Sequence, residues 1–153
     1  MKLIIVLFAL FSASAPAWAS EVTLKSQVFV ERIQKDDKGN SKTVLEEPNM
    51  VTPGDKLLFV LAYKNEGAAP ATDFVINNPL PQAVLFTGTE SKDAVMSVDG
   101  GKSWGELAKL KVKQADGSVR AALAADVTHV RWQFARPIPA GAEGKVNFRA
   151  VVK

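Results

Sequence analysis

The chain has 153 residues, a formal net charge of +3, one histidine and no cysteine. Without cysteine, thiol catalysis, Cys-ligated zinc and a disulfide framework are excluded. The slight positive excess contains no run of lysine or arginine, so the dense basic patch of a nucleic-acid binder is missing.

Residues 1–19 read as a cleaved signal peptide. Lys2 supplies the positive n-region, Leu3–Phe11 an unbroken apolar run, and Ala17-Trp18-Ala19 the small-x-small pattern of a signal-peptidase site. Cleavage is expected after Ala19, with Ser20 as the new N-terminus, and Ala15-Pro16-Ala17 offers a second site. The apolar run is shorter than the roughly 20 residues a membrane span requires, and no cysteine follows it for lipid attachment. No later segment is long and apolar enough to cross a bilayer, so no membrane span is expected. Residues 20–153 are expected to form one exported domain, periplasmic or extracellular, able to bury about two-thirds of its unfolded surface.

From Val22 onward the hydrophobic pattern has period two. Val22, Leu24, Val28 and Val30 alternate with polar positions and predict a strand. Asp36-Asp37-Lys38-Gly39-Asn40-Ser41 predicts a polar turn, and Val51-Thr52-Pro53-Gly54-Asp55 a second, with Pro53 presetting φ and Gly54 accepting a positive φ. Lys56–Tyr63 is apolar on both faces, which predicts a central strand. Asn65-Glu66-Gly67 ends it. Asp73–Ile76 reads as a short strand stopped by Asn77-Asn78-Pro79-Leu80-Pro81, since Pro79 and Pro81 do not fit a central ladder. Val84–Thr87 resumes β structure. Ala94–Val98 and Ser103-Trp104 read as two strand pieces around Asp99-Gly100-Gly101, a hairpin signal. Leu107–Val112 reads as a strand. Ala121–Ala125 fits either a strand piece or a single helical turn. His129–Ala135 alternates with Val130, Trp132 and Phe134 inward. Pro137-Ile138-Pro139-Ala140-Gly141 is a turn, and Val146, Phe148, Ala150 and Val152 mark the last strand. Eight or nine short strands separated by turns predict an all-β antiparallel sandwich.

Five of these turns follow a recognisable order. Val51-Thr52-Pro53-Gly54-Asp55 is followed by a strand, by Asn65-Glu66-Gly67, by Pro70-Ala71-Thr72-Asp73, and by Pro79-Leu80-Pro81; Ile138-Pro139-Ala140-Gly141 precedes the final strand. This order resembles the bacterial surface-protein repeat family called "domain of unknown function eleven", over most of residues 45–153. The chain departs from that family's pattern at Asn78-Pro79, where an Asp before Leu-Pro is usual, and carries one copy where tandem repeats are usual. The resemblance implies an immunoglobulin-like sandwich of about seven to nine strands in the envelope. It implies no reaction. Pro53, Gly54, Asn65, Gly67, Pro79, Pro81, Asp99, Gly101, Pro139 and Gly141 are accordingly expected to be structural turn residues.

Few side chains suggest chemistry. Ser97-Val98-Asp99-Gly100-Gly101-Lys102-Ser103-Trp104 matches the S-x-D-x-G-x-x-W Asp-box of sialidases and related propellers. There the motif is a folding element, with the Asp accepting backbone N–H bonds and the Trp packing beneath the hairpin, and propellers carry several copies. His129 alternates opposite Val130 and Trp132, which points it to solvent, and a lone histidine does not build a three-histidine zinc site. Asp36, Asp37 and Asn40 lack EF-hand spacing. Glu46-Glu47 has no second carboxylate pair to support glycosidase chemistry. No G-x-S-x-G elbow, phosphate loop or dinucleotide fingerprint occurs. No catalytic residue, cofactor or metal is therefore expected. Arg131 and Arg149, with His129 and Lys145, would form a basic stripe for a partner if their strands paired in one sheet.

The expected function is a non-enzymatic binding or structural module of the envelope, acting by protein–protein contact with an unidentified envelope protein or surface polymer. A carbohydrate-binding module using Trp104 and Tyr63 is the first rival. A hydrolase, needing convergent carboxylates or a nucleophile with its base, is the second.

Overall fold

The computed structural model describes residues 21–153. The expected signal peptide and the cleavage site expected after Ala19 lie outside the described residues. Among the described residues there are ten strands: β1 (Val22–Lys35), β2 (Ser41–Glu46), β3 (Lys56–Asn65), β4 (Val75–Pro79), β5 (Val84–Gly88), β6 (Ala94–Ser97), β7 (Lys111–Lys113), β8 (Val119–Ala121), β9 (His129–Gln133) and β10 (Glu143–Val152). The order β2-β1-β3-β10-β5 makes a five-stranded antiparallel sheet, and β4-β9-β6 makes a three-stranded one. The chain crosses between these sheets from β3 to β4, β4 to β5, β5 to β6, and β9 to β10. The architecture is the all-β antiparallel sandwich that the turn spacing predicts.

Period-two alternation places the core. Leu57, Phe59 and Leu61 of β3 face Ile76 of β4, Met96 of β6, and Val130 and Trp132 of β9, with Val146, Phe148 and Ala150 of β10 completing the layer. Phe148 stacks on Phe59 with centroids 4.5 Å apart and meets Trp132 of the opposite sheet at 6.3 Å. β3 is the middle of five strands, as its two apolar faces require.

Asn65 joins the ends of two connections. Its side chain is fully buried. Nδ2 donates to the carbonyls of Ala69 and Ile138, both at 2.9 Å, and Oδ1 accepts the Gly67 N–H at 3.0 Å. Its backbone carbonyl takes the Gly141 N–H, and its N–H donates to Ala142. Gly141, at φ +75°, supplies the positive φ of the Pro139–Ala142 turn. The N-x-G and P-A-G signals thus belong to one hydrogen-bonded knot.

Three local expectations need correction. The fourth strand runs over Val75–Pro79, past the two asparagines and into the proline expected to stop it. Pro79 is tolerated because β4 is an edge strand and Pro79 ends it. Leu107–Lys109 is a 3₁₀ turn, and only Lys111–Lys113 is strand, paired with β8 in a separate two-stranded ribbon. Ser103-Trp104 is turn and not strand, with only Gly105 bridging back to Met96; within Ala121–Ala125, open to either reading, Ala121 ends β8 and Ala124–Asp126 forms the helical turn.

β1 is longer than the expected strand, and its end is distinctive. It pairs with β3 only as far as Glu31, opposite Lys56, and pairs with β2 from Val30 to Lys35. The β1–β2 hairpin therefore continues past the end of β3 as a two-stranded arm. Asp36 closes its tip: Oδ1 accepts the Lys38 and Asn40 N–H groups, and Oδ2 accepts Asn40 Nδ2.

Candidate functional site

The Ser97–Trp104 segment is a hydrogen-bonded turn at the end of β6. The Ser97 hydroxyl, fully buried, donates to Asp99 Oδ1 at 2.7 Å and accepts the Gly101 N–H at 2.8 Å. Asp99 Oδ1 also accepts the N–H groups of Lys102 and Ser103, and Oδ2 accepts the Ser103 hydroxyl at 2.6 Å. These bonds, led by the Ser103 hydroxyl, hold the Asp99 carboxyl well below the usual carboxylate range. Gly100 and Gly101 take φ of +77° and +87°. Reciprocal bonds between Met96 and Gly105 close the hairpin. Every Asp99 bond ends within residues 97–103 or on the turn itself, so the carboxylate organises the turn.

What the turn does is deliver Trp104 onto the outer face of the small sheet. Its Nε1 donates to the Gly101 carbonyl at 3.0 Å. The Arg131 guanidinium lies over the indole, 3.7 Å from the ring centroid. Arg131 Nε donates to Asn77 Oδ1 at 2.6 Å. His129 meets the indole edge-on at 6.0 Å, with its Nδ1 3.0 Å from Thr128 Oγ1. Strand register explains the cluster: Asn77 pairs with Arg131 across β4 and β9, and Pro79 with His129. The alternation opposite Val130 and Trp132 puts Arg131 and His129 on the outer face.

His129 is half-buried beneath Trp104, not open to solvent as expected from β9 alone. The difference arises because the turn folds back over the strand. Trp104 and Tyr63 are both half-buried. Arg131 covers one face of Trp104, and Tyr63 packs edge-on to Phe134 at 4.8 Å while lying over Gly144.

The basic stripe does not form. Arg131 is on β9 of the three-stranded sheet and Arg149 on β10 of the five-stranded sheet. Each alternates with core residues, so the two point outward from opposite layers of the sandwich. Arg149 is also neutralised: Nε donates to Glu31 at 2.8 Å and Nη1 to Glu90 at 2.6 Å. Its guanidinium holds the Glu90 carboxyl below its ordinary value. Lys145 is on β10 too, in the same row as Lys25 and Ala62.

Four described arginines are half-buried: Arg32, Arg120, Arg131 and Arg149. Three of them form salt bridges, Arg32 with Asp55, Arg120 with Asp126, and Arg149 with Glu31 and Glu90. Arg131 is held only by a neutral ring and a neutral amide. Two residues back along β9, His129 lines a groove of about 620 Å³ together with Pro79, Leu80, Gly100, Val127 and Lys153; Arg131 is outside its lining.

The arm is a second surface with unusual composition. Ile33 and Leu45 share one face of the hairpin, since Ile33 pairs with Thr43 and Leu45 with Glu31. They are 71% and 50% exposed, and Met50, just beyond β2, is 79% exposed. At the base of the arm, Arg32 makes two bonds to the Asp55 carboxylate, which also accepts the Thr52 N–H.

Asn77 carries no local signal of its role: it lies where the prolines suggest a strand end, and only the β4–β9 register brings it to Arg131. The arm escaped because Asp36–Ser41 signalled the turn but not the length of the strands it joins. Among the described residues no three His, Asp or Glu side chains cluster to hold a metal ion, and no helix is long and apolar enough to cross a membrane. No family model, curated protein or solved structure matches the chain.

Proposed function

We propose that the chain is a non-enzymatic module of the bacterial envelope, exported to the periplasm or cell surface, that works by protein–protein contact through the β1–β2 arm. One observation carries the reading. Ile33 and Leu45 stand 71% and 50% exposed on one face of an arm that reaches beyond the sandwich. Large apolar side chains grouped on an exposed ribbon face mark interaction surfaces, whereas single exposed ones need no explanation. The Arg32–Asp55 pair fixes the base of the arm, which lowers the ordering cost of docking. The signal-like N-terminus and the surface-repeat order of the turns support the envelope setting.

The reading is tested with Ile33→Thr and Leu45→Thr together. Threonine keeps β propensity while removing apolar area. The double variant is expected to melt within a few degrees of wild type and to lose an envelope protein that co-purifies with the exported wild-type chain. Unchanged co-purification would sink the reading.

A further inference from the structure

We propose that Arg131 and the adjoining groove form a receptor for the carboxylates of an acidic, extended peptide, a site separate from the arm and independent of the reading given for it. A half-buried arginine in this protein ordinarily pairs with a carboxylate, as Arg32, Arg120 and Arg149 do. Arg131 does not, yet it is as firmly placed. Trp104 supports its face and Asn77 Oδ1 fixes its Nε. The guanidinium fork is thereby oriented in advance, and its two Nη groups are left without a bond to any described residue. A planar, bidentate acceptor such as a carboxylate matches that fork. Asn77 Nδ2 makes no bond to the described residues and adds an N–H donor beside it, because Oδ1 is already committed to Arg131.

The neighbourhood specifies a peptide. One arginine reads one acidic group, whereas a polyanion such as nucleic acid or an anionic bilayer draws on many clustered cations. His129 is next along the same outward face and lines the groove, whose wall at Pro79, Leu80 and Val127 is apolar and which Lys153, its Nζ donating to the Gln82 carbonyl at 2.6 Å, also lines. An extended chain with alternating acidic and apolar residues would set apolar side chains against Leu80 and carboxylates near Arg131 and Lys153. Asp126, the carboxylate that also lines the groove, has both oxygens bound to Arg120, so it offers little repulsion.

The probe is an N-acetylated Glu-Leu-Glu-Leu-Glu peptide, with Gln-Leu-Gln-Leu-Gln as its neutral match, titrated into the exported protein at low salt. The glutamyl peptide is expected to bind and to shift the Arg131 Nε–H resonance in NMR spectra, leaving Arg120 Nε–H in place. Arg131→Gln is expected to weaken binding about ten-fold or more. Arg131→Lys, which keeps the charge but loses the fork, is expected to weaken it too. Three results would each overturn the proposal: equal binding of the neutral peptide, wild-type affinity in both variants, or binding of oligogalacturonate without the glutamyl peptide. The NMR readout on the wild-type protein decides even if a variant fails to fold.

Discussion

Asn65 is fully buried and its side chain satisfies three backbone groups at once. Asn65→Ala would strand the Ala69 carbonyl and the Gly67 N–H and remove one of two bonds to the Ile138 carbonyl, which keeps the Ala71 N–H; an orphaned group costs about 1–3 kcal/mol. A loss of at least about 2 kcal/mol in urea unfolding is expected; a variant as stable as wild type would contradict the knot. Phe148→Ala removes a ring stacked at 4.5 Å on Phe59 and is expected to cost about 3–5 kcal/mol by the same measurement. Asp126 gives a pH signature. The Arg120 guanidinium, with the Leu123 N–H, pulls its carboxyl down to about 2 from an ordinary 3.8. The folded-state value is the lower one, so the stabilisation is present above about pH 4 and is lost as pH falls through about 2. The stability gap between wild type and Asp126→Asn is expected to narrow steadily from about pH 5 to pH 2. A gap that stays constant would assign no such role to the pair.

Elements were legible where alternation and turn chemistry agreed. Lys56–Tyr63 announced a central strand through its two apolar faces, and the Ser97–Trp104 hairpin was readable from residue identity alone, since its bonds run among neighbours. Long-range consequences were not readable. Nothing local indicates that Trp104 comes to rest under Arg131, because that depends on the β9–β6 and β4–β9 registers. The same gap left the basic stripe conditional: whether the strands of Arg131 and Arg149 share a sheet is a matter of topology, and the topology separates them. Pro79 misled for a different reason. A proline stops a central strand, and β4 is an edge. At this scale the arm also makes a prediction. Two-stranded ribbons are marginal alone, so Arg32→Ala, by releasing the arm from Asp55, is expected to raise amide exchange at Ile33–Leu45 while β3 and β10 stay protected. Uniform exchange across all strands, or none added in the arm, would contradict it.

The molecule as a whole divides its labour between a packed body and two exposed surfaces. The body needs no disulfide, because Leu57–Leu61, Val130–Trp132 and Val146–Ala150 fill the space between sheets. Aromatic stacking carries the centre, and three bonded arginines brace the outside. What the body leaves unspent, an apolar arm face and an oriented but unpaired arginine, lies on the two surfaces proposed for recognition. The most direct test is site-specific photo-crosslinking in living cells. A photoreactive residue at Ile33 or Leu45 is expected to trap one discrete envelope protein, while the same residue at Lys111, on the β7–β8 ribbon, traps none. Equal yields at all three positions, or no adduct at the arm, would contradict contact through the β1–β2 hairpin.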